Sequence, residues 1–333
     1  MSHAGPADLL VEQVVGPDEL VVGVDVGGTK VLAGEVTADG RVVRTATRRT
    51  PGRRGSVVAV EDALSEAVAE VAAGRTPAGV GLAAAGFVDA GRERVMFAPH
   101  LPWAGDPVRR RLEERWGVPV ALDNDANCAA VAEDALGAAH GASSALVLTM
   151  GTGIGGAVVL GGRVWRGVQG MAGEFGHIQV VPGGRSCECG ESGCWEQYSS
   201  GNALVRDARE RMVRTPTVLS DLCAGDPDRL VGPMVTRAAA EGDPVARQAF
   251  ESVGEWLGVG LAGLVAAFDP EVVVVGGGVS AAGERLLDPA RAALARTLVG
   301  GPHRTVPPLR PALLGPEAGL VGAALLARAV PGA

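Results

Sequence analysis

LVVGVDVGGTK, residues 20–30, is an apolar run of strand length that ends at paired glycines, with the carboxylate of Asp25 just before them. A Leu/Val run bounded by turn residues reads as a buried β-strand. Beyond it, LAGEVT (32–37) and RVVRTAT (41–47) flank the turn residues ADG (38–40), which predicts an antiparallel meander of three strands. A helix is expected over Ser56–Ala73, then a strand in AGVGLAAAG (78–86), a helix near Pro107–Trp116, a strand in VPVALD (118–123) and a helix from Asp125 to about Ala138. The first half therefore reads β-β-β-α-β-α-β-α.

The same order begins again with SALVLTMG (144–151), GGAVVLGG (155–162) and RVWRG (163–167), followed by helices and the strand EVVVVGGG (271–278). Two halves on one plan place the chain in the α/β class, with Gly-rich turns after apolar strands as a nucleotide cleft between such halves would need. The expected organisation is a leader over residues 1–19, a first domain over 20–138 completed by a C-terminal helix over 317–330, and a second domain over 139–316. An insertion over 170–201 interrupts the second domain and carries cysteines and polar residues.

With 333 residues the chain is long enough for two sizeable cores, and 47% hydrophobic content argues against disorder. A net charge of −8 argues against nucleic acid or an anionic membrane as the main partner. No run of 18 apolar residues and no basic n-region before an apolar stretch is present, which points to a cytoplasmic protein acting on a small molecule.

Three glycine turns are candidate phosphate cradles. GVDVGGTK (23–30) lacks the Gly-Lys-Ser/Thr ending of a P-loop, but it sets Asp25 at a strand end beside N–H groups and the Thr29 hydroxyl, with Asp25 able to hold magnesium through water. MGTGIGG (150–156) repeats the design with Gly151, Thr152 and Gly153, and GGGVS (276–280) opens a helix whose N-terminus can accept an anion or ribose. Any one of these is equally a plain hairpin or strand-to-helix connection; the three together favour a nucleotide. A dinucleotide fingerprint over 151–156 is set aside, since a hairpin is expected there rather than a helix.

DNDAN (123–127) closes a strand and opens a helix, where α/β proteins bind ligands. Asp125 is placed there to take the proton of a sugar hydroxyl during phosphoryl transfer, with Asn124 bonding neighbouring hydroxyls. Asp and Asn are also the preferred helix caps, and Asp123 is a candidate for that role. In the insertion, His177, Cys187, Cys189 and Cys194 supply one nitrogen and three thiolates, the donor set of a closed structural zinc site; the alternative is three buried free thiols. Glu174, His177 and Glu196 flank the cluster as candidate sugar contacts, although either glutamate alone is compatible with a solvated surface.

Together, VDVGGTK, DNDAN, GTGIGG, GEFGHI, CECGESGCWEQ and VVVVGGGVS resemble the ROK family (repressors, uncharacterised frames and sugar kinases) of the actin-like, ribonuclease H-like ATPases, and WEQYSSGNAL is similar to its glucokinase branch. The resemblance implies two similar βββαβαβα domains flanking a nucleotide and sugar cleft, and ATP-dependent phosphorylation of glucose with Asp125 as base. It implies sugar contacts from Gly86, Asn124, Glu174, His177 and Glu196, and structural zinc on His177, Cys187, Cys189 and Cys194. It assigns Asp25, Gly28, Thr29, Thr152, Gly153, Gly277 and Gly278 to phosphate and nucleotide turns, adds Lys30 as a phosphate candidate, and suggests a homodimer or homotetramer. Two departures bear on sugar preference: His100 stands where glucokinases of the family often carry Asn, and AAAG (83–86) lacks the Pro often seen before the glycine. N-acetylmannosamine, fructose or mannose as substrate and polyphosphate as donor are rival expectations. A sugar-sensing repressor would need a DNA-binding module, for which the 19 residues before the first strand are too few.

Overall fold

The computed structural model describes residues 15–329, so residues 1–14 of the expected leader and residue 330 of the expected last helix lie outside the described residues. Two compact units result. One comprises the described residues up to Ala132, the segment Gly167–Met171 and those from Glu317 onward; the other comprises Glu133–Arg166 and Ala172–Pro316.

In the first unit, β1 (Val21–Val26), β2 (Lys30–Val36) and β3 (Val42–Arg49) form the antiparallel meander. Then come α1 (Val57–Ala72), β4 (Gly79–Ala84), a ribbon of β5 (Phe87–Val88) and β6 (Val95–Phe97), α2 (Val108–Trp116), β7 (Val120–Asn124) and α3 (Asp125–Leu136). The sheet order is β3-β2-β1-β4-β7, with β4 parallel to both β1 and β7. Ser56 starts α1 by accepting from Ala59 N–H at 3.1 Å, as a β-region N-cap should.

The second unit repeats this plan with β8 (Ser144–Met150), β9 (Ile154–Leu160) and β10 (Arg163–Trp165) as the meander. It continues through α4 (Gly201–Met212), α5 (Leu219–Leu222), α6 (Gly232–Glu241), α7 (Pro244–Phe268), β11 (Val272–Gly276), α8 (Glu284–Thr297) and β12 (Leu309–Pro311), in sheet order β10-β9-β8-β11-β12. The α7 helix alone among the described helices is long and apolar enough to cross a bilayer. Its residues Ala249, Phe250, Leu257 and Leu261 are fully buried in the core of this unit, so the apolarity is spent on packing.

The last helix, α9 (Ala318–Arg328), packs back on the first sheet, as its sequence position suggests. A β-carbon on Gly23 would lie 2.1 Å from Leu320 O and one on Gly81 1.8 Å from Ala323 O, so helix and sheet meet backbone to backbone and only glycine fits. Buried Arg328 ends this helix by donating to Gly16 O at 3.1 Å and Val36 O at 2.8 Å, which ties the strand entry to the sheet. The consequence for function is positional: the C-terminal ends of β1, β4 and β7 lie side by side and carry Asp25, the turn to Gly86, and Asn124 with Asp125.

Candidate active site

At the end of β7 the helix cap is Asn124, rather than the candidate Asp123 or Asp125 itself. Asn124 Oδ1 accepts from Ala126 N–H at 2.9 Å and Asn127 N–H at 3.1 Å, the bonds an N-cap makes to the second and third helical residues. Asp123 is instead turned inward, 1% exposed, and accepts from Asn127 Nδ2 at 3.0 Å. Because the cap is one residue earlier than Asp125, that carboxylate is released from capping.

Asp125 Oδ1 accepts from Ala126 N–H at 2.9 Å and from Asn124 Nδ2 at 3.0 Å, while Oδ2 has no hydrogen bond among the described residues. Asn124 Nδ2 also donates to Gly86 O at 3.1 Å, so its amide is fully engaged and must exchange a bond to reach a ligand. Gly86 has φ +154, and a β-carbon there would lie 2.5 Å from Phe97 O; the ribbon of β5 and β6 thus explains the glycine. Burial pushes the Asp125 carboxyl up, against the opposing bonds from Ala126 and its own backbone and from Asn124.

Asp25 sits at the first turn of α9, where a β-carbon on Gly319 would lie 3.6 Å from its Oδ2. Burial first, and the Asp125 charge second, raise its pKa to about 7 against the pull of Lys30. Since ionising a carboxyl so raised costs the folded state, its stabilising contribution is full below the unfolded value of 3.8 and is lost as pH rises through about 7. In magnesium-free buffer the unfolding midpoint is therefore expected to fall on going from about pH 6 to about pH 8, and Asp25→Asn to flatten that dependence. Equal slopes for wild type and variant in thermal melts would refute this.

The turn after Asp25 is fixed by Thr50, a residue sequence reasoning missed: its Oγ1 donates to Gly27 O at 2.8 Å and its N–H to Thr29 O at 3.1 Å. Thr29 and Lys30 are exposed at this turn. Gly28 packs on His100, whose Cβ lies 2.5 Å from where a β-carbon on Gly28 would be, so the departure noted at residue 100 stands beside the first glycine turn.

In the second unit, Gly151–Gly153 forms the expected hairpin between β8 and β9, with Thr152 exposed. The third turn starts with Gly277, at φ +85 and with its β-carbon position 2.5 Å from Met150 N and O, so it rests on the end of β8 just before the second turn. Gly278 faces open space. The α-helix expected to open here does not: Gly278–Ala282 is a 3₁₀ turn, closed by Ser280 Oγ donating to Gly277 O at 2.7 Å, and α8 begins only after Gly283 at φ +61. The anion-attracting end of a long helix is therefore displaced from this turn.

The expected zinc ligands converge. The donor atoms of His177, Cys187, Cys189 and Cys194 all lie within 4.8 Å of one another, with Cys187 Sγ to His177 Nδ1 and Cys189 Sγ to Cys194 Sγ each at 3.6 Å. Tetrahedral zinc with Zn–S near 2.3 Å places its ligands about 3.5–3.8 Å apart, so these residues fit the ion. Burial pushes Cys194 up to about 12, with its neighbouring thiols adding to the shift, and burial likewise raises Cys187. Such thiols ionise when a cation is bound among them.

Glu174 immediately precedes the 3₁₀ turn Phe175–His177, and Glu196 Oε1 lies 3.2 Å from Cys187 Sγ and 3.8 Å from His177 Nδ1. With Nδ1 turned to the cluster, Nε2 is the His177 nitrogen left for a ligand. Tyr198 was also missed by sequence reasoning: its hydroxyl accepts from Arg185 N–H at 2.8 Å and its ring packs on Trp256 at 4.9 Å, which anchors the cysteine loop to α7.

The ROK family profile matches residues 21–330. The chain is 44% identical over 312 residues to the glucokinase of Streptomyces coelicolor, covering 93% of this chain and 98% of that protein. Among solved structures it is similar to a ROK family glucokinase from Streptomyces griseus in complex with glucose and AMPPNP, with a TM-score of 0.87, 46% identity, and 93% and 99% of the two chains covered. A ROK hexokinase from Thermus thermophilus matches with a TM-score of 0.72 and 42% identity over 92% of this chain and 97% of that one.

Proposed function

This chain belongs to the ROK family, and we propose that it transfers the γ-phosphoryl group of ATP to glucose, giving glucose 6-phosphate, with Asp125 as general base. The observation that carries the reading is the Asp125 carboxylate. One oxygen is held by Ala126 and Asn124 while Oδ2 remains an open acceptor at the end of a parallel strand, and burial raises its basicity.

As the sugar oxygen bonds to the γ-phosphorus and the bridge to the β-phosphate breaks, the hydroxyl proton passes to Asp125 Oδ2 and the leaving charge stays on ADP. The N–H groups of the turns at Gly28–Thr29, Thr152–Gly153 and Gly277–Gly278, with Lys30, cradle phosphate and nucleotide. Asp25 would hold magnesium through water, where a bound ion would supply charge neutralisation for the phosphates. Gly86, Asn124, Glu174, His177 and Glu196 orient the sugar. His177 and the three cysteines would hold zinc with four protein ligands, a closed set that would order the loop and leave no open position for substrate. The two compact units correspond in this reading to the two kinase domains, working in the cytoplasm as a homodimer or homotetramer.

A coupled assay over glucose, fructose, mannose and N-acetylmannosamine with magnesium and ATP tests the reading. Glucose is expected to lead in kcat/KM by roughly tenfold or more, because a site that bonds one hydroxyl pattern leaves polar groups unpaired with another. A different hexose in the lead would move the assignment to that sugar. No turnover with ATP but turnover with polyphosphate would reassign the donor.

A further inference from the structure

The second glycine turn is held from its carbonyl side. Gly201 N–H donates to Gly151 O at 2.8 Å and Asn202 N–H to Thr152 O at 3.4 Å, while the N–H groups of Thr152 and Gly153 have no partner among the described residues. A carboxylate stands beside them. Glu196 Oε2 accepts from Ile154 N–H at 3.4 Å and lies 2.2 Å from where a β-carbon on Gly153 would be. Its other oxygen lies 3.2 Å from Cys187 Sγ, so one side chain, only 17% exposed, spans the turn and the cysteine cluster. A negative charge placed there, and shielded from water, opposes any phosphate that approaches the same N–H groups.

We propose that Glu196 is an electrostatic gate on the second glycine turn. Without sugar its carboxylate lies against Gly153 and weakens phosphate binding; a sugar hydroxyl that engages Glu196 draws it away, so that nucleotide binds well only after sugar. This rests on the reading of Glu196 as a sugar contact and of Thr152–Gly153 as a phosphate cradle. The glycine at 153 has a second purpose in this light: any larger residue would displace the carboxylate and leave the gate open. Because linkage is reciprocal, nucleotide must tighten sugar by the same factor.

The test is calorimetric titration of a magnesium-loaded, non-hydrolysable ATP analogue into wild type and Glu196→Gln, with and without saturating glucose. In wild type, glucose is expected to tighten the analogue about tenfold, a usual size for such coupling. Glu196→Gln, which keeps the shape and loses the charge, is expected to bind the analogue without sugar about as tightly as wild type does with it. Loss of sugar binding alone would leave the sugar-free affinity unchanged, so a sugar-free affinity equal to or weaker than wild type overturns the gate. Indifference of the wild-type affinity to glucose overturns it without any variant, and zinc content checks that the variant is intact. Wild-type turnover separates the two levels: an active glucose kinase with no tightening in Glu196→Gln loses only the gate, whereas absence of turnover on every hexose removes the reading beneath it.

Discussion

Asp125→Asn is expected to lower kcat for glucose phosphorylation by about 10²- to 10⁴-fold, the usual contribution of a positioned general base. The substitution is close to isosteric and its effect is specific. An amide oxygen at position 125 can still accept from Ala126 N–H and Asn124 Nδ2, so the local hydrogen bonds survive. What changes is the atom that replaces Oδ2, which becomes a donor and cannot take a proton. Sugar affinity, measured by calorimetry, should stay within a few-fold of wild type, since Asn124 keeps both its cap and its bond to Gly86. A kcat within tenfold of wild type would remove Asp125 from the base role. The residual rate of the variant would then be attributed to phosphate positioning by the glycine turns and Asp25.

The parts of this molecule that sequence made readable are those in which a single local rule suffices. The runs ending at Asp25, at Gly151 and at Gly276 are short apolar stretches closed by glycines, and both sheets follow from them because the same strand pattern occurs twice. The cluster of His177, Cys187, Cys189 and Cys194 is legible for the same reason, since residue type alone suggests a metal-binding donor set. Other features depend on partners distant in sequence. The strand β12, with only three residues and a terminal Pro311, has no periodicity to detect and exists because it pairs with β11 at a sheet edge. Gly81 reads in sequence as an ordinary strand residue, and only α9 lying on it requires a glycine; Thr50 reads as any threonine at a strand end, and only the fold brings its hydroxyl to Gly27 O. In DNDAN, residue type allowed three caps and only the backbone direction chose Asn124.

Removal of the metal is expected to have the largest effect of all, because the loop it would hold has no regular element of its own and is otherwise tied only by scattered hydrogen bonds. Between Ile178 and Cys194 the described chain has no helix or strand, only isolated bridges at Gln179–Cys194 and Ser186–Ser192. Ile178 is 45% exposed and Cys189 is exposed, so hydrophobic burial supplies little. Structural zinc in comparable small modules contributes on the order of 10 kcal/mol, which exceeds what the remaining bonds of this loop can offer. Chelation, with zinc loss verified by metal analysis, should therefore speed amide exchange across the loop while the first unit stays protected. The sugar KM should rise at least as steeply, since Glu174, His177 and Glu196 all depend on the loop's course. Cys194→Ser should reproduce this more fully than Cys189→Ser. Cys194 is completely buried next to Trp195, whose indole donates to Trp256 O at 2.7 Å, whereas Cys189 lies exposed at the loop's tip. Tyr198 and Trp256 would keep one end of the loop docked, so its loss of order should begin near Cys187 and Cys189 and spread toward His177. Full activity and unchanged exchange after confirmed metal loss would show that the bond Tyr198 accepts from Arg185 N–H and the backbone bonds of Gly193 with Val180, Val181 and Arg185 suffice to hold the loop, and that the thiol cluster is incidental to the sugar site.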